Sequence, residues 1–141
     1  VGNWVAGGTV DRIFRNGNWN LSRNLPAIIG FALAAIGMLG SLYMSTPLGT
    51  IIFLSIAIFG ADMTLPPSWA LCVDIGQKNA GAVSGTMNMA GNIGSFLTAL
   101  AFPYLTDWTG SVDYFFYVAA GLNLIAIFLW WRIKADRGLS Y

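Results

Sequence analysis

Few residues in this sequence can do chemistry, and those few stand in apolar surroundings. Asp62 lies within two positions of the midpoint of a long apolar run over 48–73. An ionisable acid there costs about 2.5–3.5 kcal/mol even on a lenient insertion scale, so it must face protein or a water-filled cavity. Two roles fit. Asp62 is either a proton or cation site on the wall of a solute path, or a protonated or hydrogen-bonded acid that ties neighbouring helices together. Four and five residues later, Pro66 and Pro67 lack the N–H groups that would have bonded the carbonyl oxygens of Asp62 and Met63. Carbonyls freed in this way suit a broken helix beside a binding site, and equally a simple packing kink.

A second group lies in the run over 80–104. Gly81, Gly85, Asn88, Asn92 and Ser95 follow one another at spacings of 4, 3, 4 and 3 residues, which lines them along one helical face. The small residues would let another backbone come close. Two carboxamides one turn apart offer donors and acceptors suited to the hydroxyls and carboxylates of a polar solute. The competing use of Asn88 and Asn92 is interhelical hydrogen bonding, which is also the role expected of Asn123, alone among bulky apolar residues.

Other chemistries are poorly served. The sequence holds no His and a single cysteine, Cys72, so no metal site, cofactor or intrachain disulfide is expected. Asp62 and Asp74 share one run, 12 residues or roughly 18 Å apart along a helix, which is too far for a catalytic pair of acids. No enzyme is therefore expected. A net charge of +1 also excludes a nucleic-acid surface.

The elements that position these residues are membrane helices. Of 141 residues, 56% are hydrophobic and only 9% charged, against about a quarter charged in a soluble domain. About 20 apolar residues at 1.5 Å rise cross a hydrocarbon core of about 30 Å. Four spans fit: 25–43, 48–73, 80–104 and 114–131, with turn residues Ser45, Thr46 and Pro47 after the first. They are apolar nearly all round, which favours membrane helices over amphipathic surface helices. Residues 1–24 read as the end of a preceding helix followed by a loop, and 132–141 as a tail. The chain opens on Val1 with no signal-peptide pattern, so a missing N-terminal part is expected.

All seven basic residues fall on alternate connections. Arg12, Arg15 and Arg23 precede the first span, Lys78 separates the second and third, and Arg132, Lys134 and Arg137 follow the fourth. Lys and Arg in short loops stay in the cytoplasm, so both ends of the chain are predicted there, with the spans in the cell's inner (plasma) membrane. Trp19, Tyr104, Trp108, Tyr114, Trp130 and Trp131 lie near the span ends, where amphipathic rings favour the interface.

Residues 7–15, GGTVDRIFR, place Gly7, Asp11, Arg12 and Arg15 in the pattern G-x-x-x-D-R-x-x-R. The pattern resembles the cytoplasmic-loop signature of the major facilitator superfamily, in the weaker copy of the second half. Phe14 stands where the family has Gly, and Asn16 where it has a basic residue. The stretch 66–94, PPSWALCVDIGQKNAGAVSGTMNMAGNIG, resembles the tenth and eleventh helices of the anion:cation symporter family within that superfamily. This resemblance covers essentially the whole chain and implies an all-α membrane bundle equivalent to helices nine to twelve of twelve.

The resemblance also implies a permease for organic anions such as hexuronates and sugar acids, coupled to protons or sodium. Its partners would be that solute, the coupling ion, the lipid bilayer and the missing N-terminal half. It implies that Ser68, Trp69 and Asn88 lie around the central cavity, with Asn88 matching a substrate-contacting position; Asn92 joins them from the helical-face argument. Asp11 and Arg12, with Gly7 and Arg15, would hold the cytoplasmic gate. A transporter of another major facilitator clade, or a channel or scaffold built from the same helices, is the alternative.

Overall fold

A computed structural model describes residues 1–133, and among them the regular structure is entirely helical. The helices are α1 Gly2–Arg15, α2 Trp19–Leu42, α3 Pro47–Met63, α4 Leu65–Gly76, α5 Ala80–Thr109 and α6 Asp113–Arg132, with a 3₁₀ turn at Gln77–Asn79 between α4 and α5. Three helical stretches are long and apolar enough to cross a bilayer: Trp19–Leu42, Pro47–Thr109 and Asp113–Arg132. The chain is an all-α membrane bundle. Its middle stretch, 63 residues long, is no single rod. It breaks at Thr64 and doubles back through Gln77–Asn79, which brings Cys72 Sγ within 3.3 Å of Met87 Sδ.

Local sequence explains where the helices stop. Gly17 takes φ +81° in the turn after α1, a conformation that only glycine adopts freely. Thr46 caps α3 by accepting the Gly49 amide at 3.2 Å on its hydroxyl oxygen, with Pro47 in the first turn, where a missing N–H costs nothing. Thr64 closes α3 with an i→i−3 bond to Ala61 O, since Pro66 and Pro67 cannot continue the ladder. Gly110, at φ +71°, ends α5.

Some boundaries depart from those read in the sequence. The segment expected to be a loop before residue 25 is mostly helix: α1 runs to Arg15 and α2 begins at Trp19, so Arg23 sits inside a helix. A charge is tolerated there because it is paired. The 80–104 segment continues as helix to Thr109, because nothing before Gly110 breaks it; Pro103 sits inside the helix. Lys134, Arg137 and the rest of the expected tail beyond Ile133 lie outside the described residues.

The tightest packing joins α2 to α3. Residues Arg23, Ala27, Gly30, Ala34, Gly37 and Ser41, all buried, recur every three or four positions along one side of α2. A Cβ on Gly30 would stand 2.6 Å from Gly60 O, and one on Gly60 would stand 2.5 Å from Gly30 O. The backbones touch because neither residue has a side chain, the means by which helices associate where water supplies no drive. On another side of α2, α6 runs antiparallel: Asn24 Nδ2 donates to Ile133 O over 3.0 Å. The turn between α1 and α2, the 3₁₀ turn and the end of α6 thus share one end of the bundle. The described basic residues Arg12, Arg15, Arg23, Lys78 and Arg132 belong to these elements.

Candidate transport site

The break between α3 and α4 puts polar atoms in the middle of an apolar stretch. Thr64 Oγ1 donates to Ala61 O at 2.8 Å, and Ser68 Oγ donates to Thr64 O at 2.6 Å. These hydroxyls answer backbone groups around the break, and the Asp62 carbonyl, whose usual amide is missing at Pro66, accepts instead from a backbone N–H at the end of α3. Asp62 is partly buried and lies against the start of α1, where a Cβ on Gly2 would come 2.7 Å from Asp62 Cβ. The acid therefore borders another helix. Its carboxylate has no ion pair among the described residues.

Ser68 and Trp69 sit on α4 and Asn88 and Asn92 on the neighbouring α5, so two adjacent helices carry all four. No hydrogen bond joins them to one another among the described residues. Ser68 spends its proton on its own backbone, Trp69 is 45% exposed, and both asparagines are exposed with no hydrogen bond among the described residues. The helices meet elsewhere: α5 presents Val83 to Gly76 and Met87 to Cys72. The face of Gly81, Gly85, Asn88, Asn92 and Ser95 is turned from Val83 and Met87 by roughly 140°, at 100° per residue. A Cβ at Gly81 or Gly85 would meet nothing within 4 Å. The competing use of the asparagines as interhelical bonds is not made by the described residues. Asn123 bonds mainly within its own helix, donating to Ala119 O at 2.8 Å, and only reaches Met38 Sδ of α2 at 4.0 Å.

The signature residues Gly7, Asp11, Arg12 and Arg15 are carried by α1. Asp11, Arg12 and Arg15 are exposed, and none forms an ion pair among the described residues. The charge contact at this end is made by a pair that sequence reading passed over. Arg23 Nε donates to Asp74 Oδ2 at 2.7 Å, with the side chains only 9% and 11% exposed. Trp19 Nε1 donates to the same oxygen at 3.1 Å, and Arg23 Nη2 reaches Oδ1 at 3.5 Å. Asp74 lies in the last turn of α4, where a carboxylate faces the negative end of the helix dipole, and the three donors offset that repulsion. Phe14 packs its ring 5.2 Å from the Arg23 guanidinium and edge-on to Trp19 at 5.0 Å. In sequence Arg23 stands only as one more positive charge before the first span, whereas it lies in the second turn of α2. The available signal was its place at the head of the small-residue stripe on α2.

Similarity to known proteins bears on what this arrangement serves. The chain is 30% identical over 123 residues to the probable sulfoacetate transporter SauU of Cupriavidus necator, a match covering 86% of this chain and 29% of that protein. It is 31% identical over 100 residues, 70% of this chain and 22% of the relative, to the probable galactarate/D-glucarate transporter GudP of Escherichia coli. The chain is a homologue of anion transporters. A third member of this group, the probable anion transporter 3, chloroplastic, of Arabidopsis thaliana, is 24% identical over 131 residues, 92% of this chain and 26% of that protein. This anion-transporter homologue thus spans between about a fifth and a third of the length of these relatives. No family model matches it, and no solved structure matches it significantly.

Proposed function

We propose that this chain is the C-terminal part of a major facilitator permease, helices nine to twelve, that moves a small organic anion across the inner membrane by alternating access. The observation that carries this reading is the similarity to anion transporters over 86% of the chain. Two of those relatives are named for sulfoacetate and for galactarate and D-glucarate, so the solute class proposed is small anions bearing carboxylate and a second polar group. The exposed carboxamides of Asn88 and Asn92 bind its hydroxyls and carboxylate oxygens from α5. Trp69 supplies a flat apolar wall, and Ser68 a hydroxyl oxygen still able to accept.

No Lys or Arg lies deep inside α3, α4 or α5. The anion's cationic partners therefore belong to the N-terminal half, which faces α5 across the solute path. Asp62, beside the helix break, is the coupling residue for a proton or sodium ion. Both ends of the chain lie in the cytoplasm, where Gly7, Asp11, Arg12 and Arg15 form the gate and the Arg23–Asp74 tie fastens α2 to α4.

Reconstitution of the complete gene product in liposomes tests this reading. Saturable counterflow of labelled galactarate, D-glucarate or sulfoacetate is expected, with accumulation driven by an imposed proton or sodium gradient. Ion conductance without counterflow would make it a channel, and neither activity would leave a membrane scaffold.

A further inference from the structure

Helix α5 packs on the rest of the bundle along one arc. Val83 stands beside Gly76 and Met87 beside Cys72 of α4, and Leu97, Ala101 and Leu105 border a cavity of about 190 Å³ shared with α6. At 100° per residue these five positions fall within about 80° of one another. Asn88, Asn92 and Phe96 follow one another every four residues and centre on the opposite side of the helix. Two exposed carboxamides with no hydrogen bond among the described residues would be costly against acyl chains, so this side of α5 suits a polar solute rather than lipid. Phe96, 63% exposed, interrupts that polar run with a large ring.

We propose that Phe96 is a specificity-determining residue, ending the solute site beyond Asn92 and limiting the length of the anion it holds. This role rests on the reading that Asn88 and Asn92 contact the solute. About 6 Å of rise separates each of the three residues from the next. Their level follows from the contacts with α4: counted antiparallel from Gly76–Val83 and Cys72–Met87, Asn88 and Asn92 flank the level of Trp69, and Phe96 passes that of Leu65, where α4 begins. In the other direction the same side of α5 carries Gly85 and Gly81, where even a Cβ would meet nothing within 4 Å. The site is thus open toward the turn at Gln77–Asn79 and blocked by a ring at its far end. A solute long enough to pass Asn92 must displace that ring or leave a carboxylate unpaired against it.

Counterflow of labelled galactarate or sulfoacetate by the complete gene product, inhibited by the straight-chain dicarboxylates adipate or suberate, tests the proposal. In the unmodified protein suberate, longer by two methylenes, should compete more weakly than adipate. Phe96→Ala should improve competition by suberate relative to adipate about tenfold, since each methylene newly buried is worth about fourfold. Phe96→Leu, the milder variant should the first fold poorly, should shift the ratio less and in the same direction. Phe128→Ala, which removes an exposed ring of α6 beside Arg132, should leave the ratio as it was. Equal competition by the two dicarboxylates before mutation, or an unchanged ratio in both Phe96 variants while counterflow persists, would overturn the proposal and leave the transport reading standing. Absence of saturable counterflow in the unmodified protein would overturn the transport reading and this role with it.

Discussion

Arg23 and Asp74 stand 51 positions apart in sequence and meet at 2.7 Å with both side chains about nine-tenths buried. The pair joins the second turn of α2 to the last turn of α4, at the end of the bundle where the basic residues gather. Removing either partner leaves a charge buried and unpaired, at a cost of about 3–5 kcal/mol. Arg23→Ala and Asp74→Ala should each lower the unfolding temperature of the complete protein in detergent, whereas Arg23→Met with Asp74→Leu should recover much of the loss. Additive losses would show that the two residues are not coupled. Phe14→Gly should cost less, about 0.5–2 kcal/mol, by exposing one face of the guanidinium.

Close contact between α2 and α3 gives a second test. Gly30→Ala and Gly60→Ala each place a methyl within 2.6 Å of a facing backbone oxygen, so each should destabilise by about 1–3 kcal/mol or more. Gly121→Ala in α6, with nothing within 4 Å, should be neutral or mildly stabilising. Comparing the unfolding temperatures of the three variants checks this.

Much of this arrangement was legible in the sequence. The bilayer-length runs and the prolines after Asp62 led to long helices and to a break at Thr64, because hydropathy and a missing N–H act locally. Alternate placement of basic residues agreed with the antiparallel course that gathers Arg12, Lys78 and Arg132 at one end. Contacts between distant positions were less legible. The glycines of α5 looked like a close-packing face, yet the close approach falls at Gly30 and Gly60, since a small residue permits contact without naming its partner. Arg23 looked like a loop charge because nothing near it in sequence reveals Asp74. The spacing of Asn88 and Asn92 puts both on one face of α5, and both are exposed, as is every residue from 88 to 100.

Orientation can be read by labelling. In a Cys72→Ala background, cysteines placed at Thr46 and Ser111 should react with an impermeant thiol reagent added outside the cell, and one placed at Asn79 should not. The reverse pattern would invert the topology.

Asp62 separates coupling from architecture. Asp62→Asn keeps the size and hydrogen bonding of the side chain but cannot cycle a proton. It should abolish uphill accumulation while sparing exchange of solute across the membrane. Wild-type accumulation and pH dependence in this variant would make Asp62 a structural acid against the start of α1.

The central claim, that the outward face of α5 binds the transported anion, is tested most directly by Asn88→Ala in counterflow. Loss of a bond that leaves a buried solute group unpaired costs about 1–3 kcal/mol, or roughly a tenfold to hundredfold loss of apparent affinity. The half-saturating concentration of the counterflow substrate should rise by that factor, with a smaller rise for Asn92→Ala and unchanged amounts of folded protein in the membrane. Normal affinity in Asn88→Ala, accompanied by less folded protein, would contradict it.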